Sequence, residues 1–476
     1  MTLKESKNNQ KIIKLLSNFG FLTIGKTLGD IFTFILFVVL SRTFGQEGVG
    51  QYSFAMALTG FLAVFADFGL YNFSIKEMSR QIGPQPEYFG GLFYLRLILV
   101  ATVFASLLLL VPFLPFIRET KVVIIIIGAY QVIYKLLEIL TSVFVAREDM
   151  QFAATVEAAL RLIIALAGIA VVLMGGSLVL TLAAFPLATI GMILVAFGTV
   201  ARRYGSPCLK MSWNEMRQTL RDAAPYGIFV FLRQLSTRVD VVLLGFFLGA
   251  ASTGVYNVAY RLVFFLMFLS YFAGLSLFPL ASRLYSSSHN DLKTLYNISL
   301  NLIILIALPI ASGLWLIAPD LVNLIFGMEF IRSTVILQIL SWTVFLAFVK
   351  SVMGTFLTSC DRQVDRTRGQ WKAAWINLLG NALLIPVIGI KGAAITLVVS
   401  ETLIVILFAV KLEPIVGWPR IGSRLAMSGA ATLSFCLPFV FFFHPPDKYR
   451  DTGLGAAVFR HIGLISRYQA KRNSHA

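Results

Sequence analysis

The sequence predicts an all-α, polytopic transmembrane helix bundle, and three observations carry that expectation. The chain is 58% hydrophobic and only 13% charged over 476 residues, with a mean hydropathy of +0.82, too few polar side chains to coat a water-soluble domain. Its apolar residues come in long continuous runs matching the roughly 20 residues a helix needs to cross ~30 Å of hydrocarbon. They lack the dyad alternation of a β-barrel. Basic residues gather in the short connections between runs, where they orient a membrane protein and meet anionic headgroups.

Spanning runs fall near 20–40, 50–71, 90–116, 122–145, 152–174, 177–198, 223–247, 254–277, 296–317, 333–357, 373–390, 393–411 and 425–443, thirteen in all. Lys4, Lys7, Lys11 and Lys14 precede the first run, which continues to Leu40 without a small-residue cleavage site, so an uncleaved first helix is expected. After His444 the tail is broken by Pro445 and Pro446, and its best apolar piece, 453–465, carries Arg460 and His461. One or two extra helices are therefore expected beyond the twelfth. With the amino terminus in the cytoplasm and sides alternating, 21 Lys and Arg residues fall on inner ends against 5 outside (Arg42, Arg118, Lys121, Arg332, Lys391). That asymmetry sets the orientation of a multi-pass protein of the cell (plasma or inner) membrane.

The formal charge of +17 would suggest nucleic acid in a soluble protein. Here its placement in short loops accounts for it, and no nucleic-acid partner is expected. Cys208, Cys360 and Cys436, and His289, His444, His461 and His475, are scattered. They support neither a disulfide framework nor a metal site. No loop is long enough to hold a soluble catalytic domain. The longest, 199–222, places Trp213, Met216 and Leu220 against Arg217 and Arg221, the pattern of an amphipathic strap on the cytoplasmic face.

That connector separates two repeats. SRTFGQEGVGQYSFAMAL (41–58) aligns without gaps to GFFLGAASTGVYNVAYRL (245–262), pairing Gly45 with Gly249, Gly50 with Gly254, Tyr52 with Tyr256, Ala55 with Ala259 and Leu58 with Leu262 at an offset of 204. Both copies sit where the first run of a half enters the second. Six crossings separate them, so the halves are parallel repeats about an axis along the membrane normal. The expected organisation is two pseudo-equivalent six-helix lobes, 1–198 and 223–411, around a central cavity, joined by 199–222 and followed by 412–476.

Fourteen charges fall within the runs: Lys26, Arg96, Lys135, Arg161, Arg233, Arg238, Arg261 and Lys350, with Asp30, Asp67, Glu138, Glu157, Asp240 and Glu401. Each costs about 2.5 to 3.5 kcal/mol when exposed to lipid at mid-depth, so most must pair, snorkel or line a hydrated cavity. Lys135 with Glu138 and Glu157 with Arg161 have helical spacing for pairing. Arg96 is near enough to its inner end to snorkel. Lys26 and Asp30 share a face, beside Gly25 and Gly29, a small-xxx-small surface for close packing. Arg233 and Asp240 share a face from which Arg238 points away, and Asn257 and Arg261 form an i,i+4 polar stripe. Arginine keeps its charge when desolvated and grips phosphate oxygens bidentately. Lys26, Arg233, Arg238, Arg261 and Asn257 are thus the candidate ligands for an anionic substrate. Asp30, Asp67 and Asp240 are the candidates for coupling to H⁺ or Na⁺; no cofactor is expected.

The segments 40–80 and 240–262, followed by FPLASRLY (278–285), resemble the polysaccharide-export flippases of the multidrug/oligosaccharidyl-lipid/polysaccharide superfamily. Each half carries their pattern of a small residue, a hydrophobic residue and Gly, then Gly-x-Tyr-x-x-Ala. The resemblance implies a V-shaped cavity between two lobes. It also implies alternating-access translocation of an undecaprenyl-diphosphate-linked repeat unit to the outer leaflet, for O-antigen, capsule or exopolysaccharide. Membrane lipids and polysaccharide polymerase or assembly proteins are the partners it implies. The readings weighed against it are a cation-coupled exporter of the same superfamily, a membrane glycan polymerase or ligase, and a non-transporting scaffold.

Overall fold

Every regular element among the described residues is helical, as lipid demands, since a helix satisfies its backbone groups internally. The computed structural model describes residues 3–80, 86–205 and 211–418. The helices are α1 Leu3–Asp67, α2 Leu70–Arg80, α3 Pro86–Leu110, α4 Arg118–Ala146, α5 Met150–Leu173, α6 Leu178–Tyr204, α7 Trp213–Ser287, α8 His289–Phe326, α9 Ser333–Ser359, α10 Gln363–Ile388 and α11 Ile390–Val416. Ten of the described helices are long and apolar enough to cross a membrane. The expected thirteenth run at 425–443, the tail, Cys208 and Cys436 lie outside the described residues.

Two of the ten hold two crossings each. In α1 the chain leaves helical geometry at Gly45 (φ 64°, ψ −164°), and in α7 at Gly249 (φ 78°, ψ −175°). Only glycine adopts that region freely. At each glycine the chain turns back on itself. Phe37 and Tyr52, 15 residues apart, have ring centroids 6.4 Å apart, where a straight helix would separate them by ~22 Å. The Tyr256 hydroxyl likewise donates to Asp240, 16 residues earlier, at 2.5 Å. The repeat identity of Gly45 and Gly249 is thus a pair of equivalent hairpin turns, and the twelve runs from 20 to 411 all fall on described helices.

The second glycine pair of the repeat joins these hairpins. A Cβ built on Gly50 would collide with the Ala250 carbonyl and stand 3.0 Å from the Gly254 nitrogen. One on Gly254 would collide with the Gln46 carbonyl and stand 3.1 Å from the Gly50 nitrogen. The contact is reciprocal at the repeat offset, the signature of a local two-fold axis. Nearby, Phe54, Phe116 and Phe246 pack as a triad with centroids 4.9 to 5.4 Å apart. The Gln46 backbone N–H donates to Glu329 Oε1 at 2.8 Å, and Arg42 Nε donates to the Ile325 carbonyl at 2.8 Å, capping the end of α8.

At the opposite end of the same helices, α1 and α2 meet at Phe68 and Gly69, both with positive φ (45° and 81°). The Asp67 carboxylate caps α2 by accepting from the Gly69 and Tyr71 N–H groups, each at 3.2 Å. Gly69 lies directly against Ala223 and Gly227 of α7, with no room for a side chain on either glycine.

The expected strap is the beginning of α7 itself. Ser212 and Glu215 form a capping box, Glu215 Oε2 accepting from the Ser212 N–H at 2.7 Å and Ser212 Oγ from the Glu215 N–H at 3.3 Å. Met216 and Ala223 are buried with Leu70, Leu92, Leu95 and Ile139, while Arg217 and Arg221 are exposed. Trp213 is exposed too, because it precedes the first packed turn.

By internal packing the chain divides into two compact units. One comprises residues up to Phe265 with Val322–Leu340 and Thr367–Ile404; the other comprises Leu266–Leu321, Ser341–Arg366 and the chain from Val405. The division passes through α7 to α11. In the second unit Tyr296 packs edge-on against Phe356, Ser351 Oγ donates to the Ser270 carbonyl at 2.6 Å, and Asp365 pairs with Arg362 and Lys411.

Gly50→Leu and Gly254→Leu should each lower the midpoint of thermal unfolding in detergent, by the ~1 to 3 kcal/mol typical of overpacking or more. Gly191→Ala, at an α6 position with open space around it, should not lower the midpoint, because alanine favours a helix interior over glycine.

Candidate functional site

Within the first unit the two hairpins and α4 enclose a cavity of about 180 Å³. α1 contributes Phe37, Tyr52, Ser53 and Met56; α4 contributes Gln131; α7 contributes Gln234, Arg238, Asn257, Tyr260, Arg261 and Phe264. Both guanidinium groups are braced by aromatic rings. Arg261 stands 5.0 Å from the centroid of Phe37 and Arg238 5.8 Å from that of Tyr260, contacts that orient a cation without neutralising it. Among the described residues no carboxylate lines the cavity. The site therefore offers two fixed positive charges beside hydroxyls and amides, the environment of an anion with polar substituents.

Of the five residues expected to bind substrate, Arg238, Arg261 and Asn257 line this cavity, whereas Lys26 and Arg233 are exposed and do not. The face shared by Arg233 and Asp240 buries Asp240 against Tyr256, and Arg238 turns instead to the cavity. Asn257 donates its amide to the Thr253 carbonyl at 3.0 Å, leaving its own carbonyl for the cavity.

The three coupling candidates occupy different environments. Asp67 is paired at 2.5 Å with Arg96, which is fully buried. This corrects the snorkelling expectation for Arg96: its side chain runs inward because the carboxylate at the α1–α2 junction lies there. Asp240 accepts from Tyr256 and, at 2.8 Å, from the Val241 N–H. Asp30 is half-buried and pairs with Arg161 of α5 rather than with Lys26. Arg161 also binds Glu157 at 2.9 Å, and the Tyr134 hydroxyl reaches both Glu157 oxygens at 2.8 and 2.6 Å. Gly25 packs on Ala154 and Gly29 on Arg161, so the small-residue face seats α5. The pairing of Lys135 with Glu138 is found at 2.9 Å.

Sequence reasoning missed Gln131, Gln234, Ser53, Met56 and the rings of Phe37, Tyr260 and Phe264. Neutral side chains in apolar runs carry no charge to mark them; of those lining the cavity, Asn257 was flagged through its polar stripe with Arg261 and Tyr52 through the repeat.

A helical membrane bundle with hairpin-related repeats and a buried cationic cavity is the architecture of a carrier. Residues 15–285 match the family model described as "Polysaccharide biosynthesis protein". That is more than half of the chain, which belongs to this family. Residues 225–367 also match the MatE model. Among characterised sequences, the chain is 24% identical over 430 residues to the "Probable low-salt glycan biosynthesis flippase Agl15" of Haloferax volcanii, covering 86% of this chain and 87% of the relative. Among solved structures, the lipid II flippase MurJ in an inward closed conformation aligns with a TM-score of 0.69 at 14% identity, covering 90% of this chain and 99% of that one. An inward-facing multidrug resistance MATE transporter of the MOP superfamily aligns at 0.64 and 13% identity, covering 86% and 98%. The fold is theirs.

Removing Asp67 would strand the buried Arg96 charge, a loss of ~3 to 5 kcal/mol. Asp67→Ala should therefore cut the yield of monodisperse membrane protein severely, while Asp30→Ala, at a half-exposed pair, should cut it far less; size-exclusion profiles of the two variants measure the difference.

Proposed function

We propose that this protein is a flippase that moves a lipid-linked oligosaccharide across the membrane by alternating access, and that it performs no bond chemistry. The observation that carries the reading is the cavity: two ring-braced arginines with no carboxylate among the described lining residues. Such a site suits the oxygens of a diphosphate, the invariant charged group of a polyprenyl-diphosphate-linked glycan, undecaprenyl being the carrier that the family resemblance implies. A drug exporter handling cations would need the opposite polarity. The similarity to a glycan flippase across most of both chains supports the same substrate class. In this reading the amino terminus is cytoplasmic, transport runs from the inner to the outer leaflet, and a polymerase or assembly protein receives the product.

Two-state transport needs only a ligand that favours one state over the other. Coupling to H⁺ or Na⁺ belongs to the proposal, and Asp30 is its best-placed carrier, being half-exposed in a network of Arg161, Glu157 and Tyr134. Asp67 and Asp240 are held in buried pairs.

In proteoliposomes containing a fluorescent polyprenyl-diphosphate oligosaccharide, Arg261→Ala and Arg238→Ala should each lower flipping by about 10-fold or more, the cost of a lost charge-assisted contact. Arg233→Ala should flip normally. Equal flipping by all three variants would remove the cavity from the mechanism. Asp30→Asn should flatten the dependence of the rate on an imposed H⁺ or Na⁺ gradient; an unaltered gradient response would exclude Asp30 as the coupling group.

A further inference from the structure

The arginines explain only part of the cavity. Its volume of about 180 Å³ is below the ~300 to 1,000 Å³ of sites that enclose a drug-sized ligand, so it holds a fragment of the substrate and not a whole repeat unit. The two arginines both lie on α7, and the facing wall, from α1 and α4, is made of Phe37, Tyr52, Ser53, Met56 and Gln131.

Gln131 is fixed in orientation. Its Nε2 donates to the Met56 carbonyl at 2.7 Å and to Thr59 Oγ1 at 2.9 Å. A backbone carbonyl only accepts, so the atom facing it must be the amide nitrogen, and Oε1 is the end left for a ligand. That oxygen lies 3.5 Å from where a Cβ would stand on Gly60, and the Gln234 amide from α7 occupies the space the missing side chain leaves. Among the described residues the Gln234 side chain makes no hydrogen bond. The Asn257 carbonyl, freed by its bond to Thr253, is a further acceptor in the same cavity.

Acceptors cannot serve the diphosphate. At neutral pH its oxygens have few protons to give, and an amide carbonyl facing them is repelled; the prenyl chain has no donor at all. The one part of the substrate that carries hydroxyl or acetamido donors is the glycan, and the sugar close enough to reach this wall while the arginines hold the diphosphate is the one bonded to it. Tyr52 and Tyr260 line the cavity beside these amides. We infer that Gln131 and Gln234 are specificity-determining residues that read the polar substituents of the sugar joined directly to the diphosphate. The inference rests on the flippase reading and adds which portion of the substrate is selected.

The test uses the full-length protein in detergent and three short-chain polyprenyl-diphosphate probes: one without sugar, one bearing glucose and one bearing N-acetylglucosamine. The unaltered protein should bind one sugar-bearing probe in preference to the other two. Gln131→Leu and Gln234→Leu should each weaken binding of that probe by about 10-fold, the cost of leaving a donor or acceptor unmatched, while their affinity for the sugar-free probe is kept. Arg261→Ala should weaken all three probes together. Gln234→Leu removes no intramolecular hydrogen bond among the described residues, so it reports on recognition even if Gln131→Leu disturbs the α1–α4 packing. Equal weakening of every probe by Gln234→Leu, or no change with any, would overturn the inference. Failure of the unaltered protein to bind even the sugar-free probe would overturn the flippase reading beneath it.

Discussion

The reciprocal backbone contact of Gly50 and Gly254 is the constraint on which the rest of the first unit depends. Each glycine lets the other hairpin's carbonyl approach to a distance that any side chain would forbid. In lipid, where apolar side chains gain nothing by leaving the surrounding hydrocarbon, close approach of small residues is what makes two helices prefer each other. The contact sets α1 and α7 side by side, and the cavity lies between the same hairpins further from the turns. Gly69 and Gly227 bring the two helices together again at the other end, so the cavity is bracketed by two glycine contacts.

The embedded charges divide by environment. Asp67 and Arg96, and Asp240 and Tyr256, are buried pairs in which each partner makes the other tolerable. Their role is to fix geometry, most plainly at the α1–α2 junction, where Asp67 also caps α2 across two residues of positive φ. Asp30, Glu157, Arg161 and Tyr134 form a second, wetter network. Arg238 and Arg261 make no ion pair within contact distance among the described residues and are braced instead by rings. Arginine suits that position because it stays charged where lysine would be prone to lose its proton.

The MATE and MurJ folds show that this scaffold serves ligands of different chemistry. What distinguishes one carrier from another must then lie in the few side chains that face the cavity. In this chain they combine two fixed cations with amide and hydroxyl groups from both walls, a set suited to a ligand that is anionic at one point and polyhydroxylated beside it.

The sequence by itself determined the helical membrane class, the positions of the twelve crossings on described helices, and the repeat, because these follow from hydrophobic run length and from glycines that no other residue can replace. It also identified Arg238, Arg261 and Asn257 as binding candidates, and the Lys135–Glu138 and Glu157–Arg161 pairs, which are set by helical spacing alone. Tertiary structure decided the rest. Arg96 finds Asp67 and Asp30 finds Arg161 across helices far apart in the chain, and a rotation of α7 puts Arg238 in the cavity and Arg233 outside it. Helical periodicity says which residues share a face; which face meets which neighbour depends on backbone contacts such as Gly50 with Gly254, formed between segments about 200 residues apart.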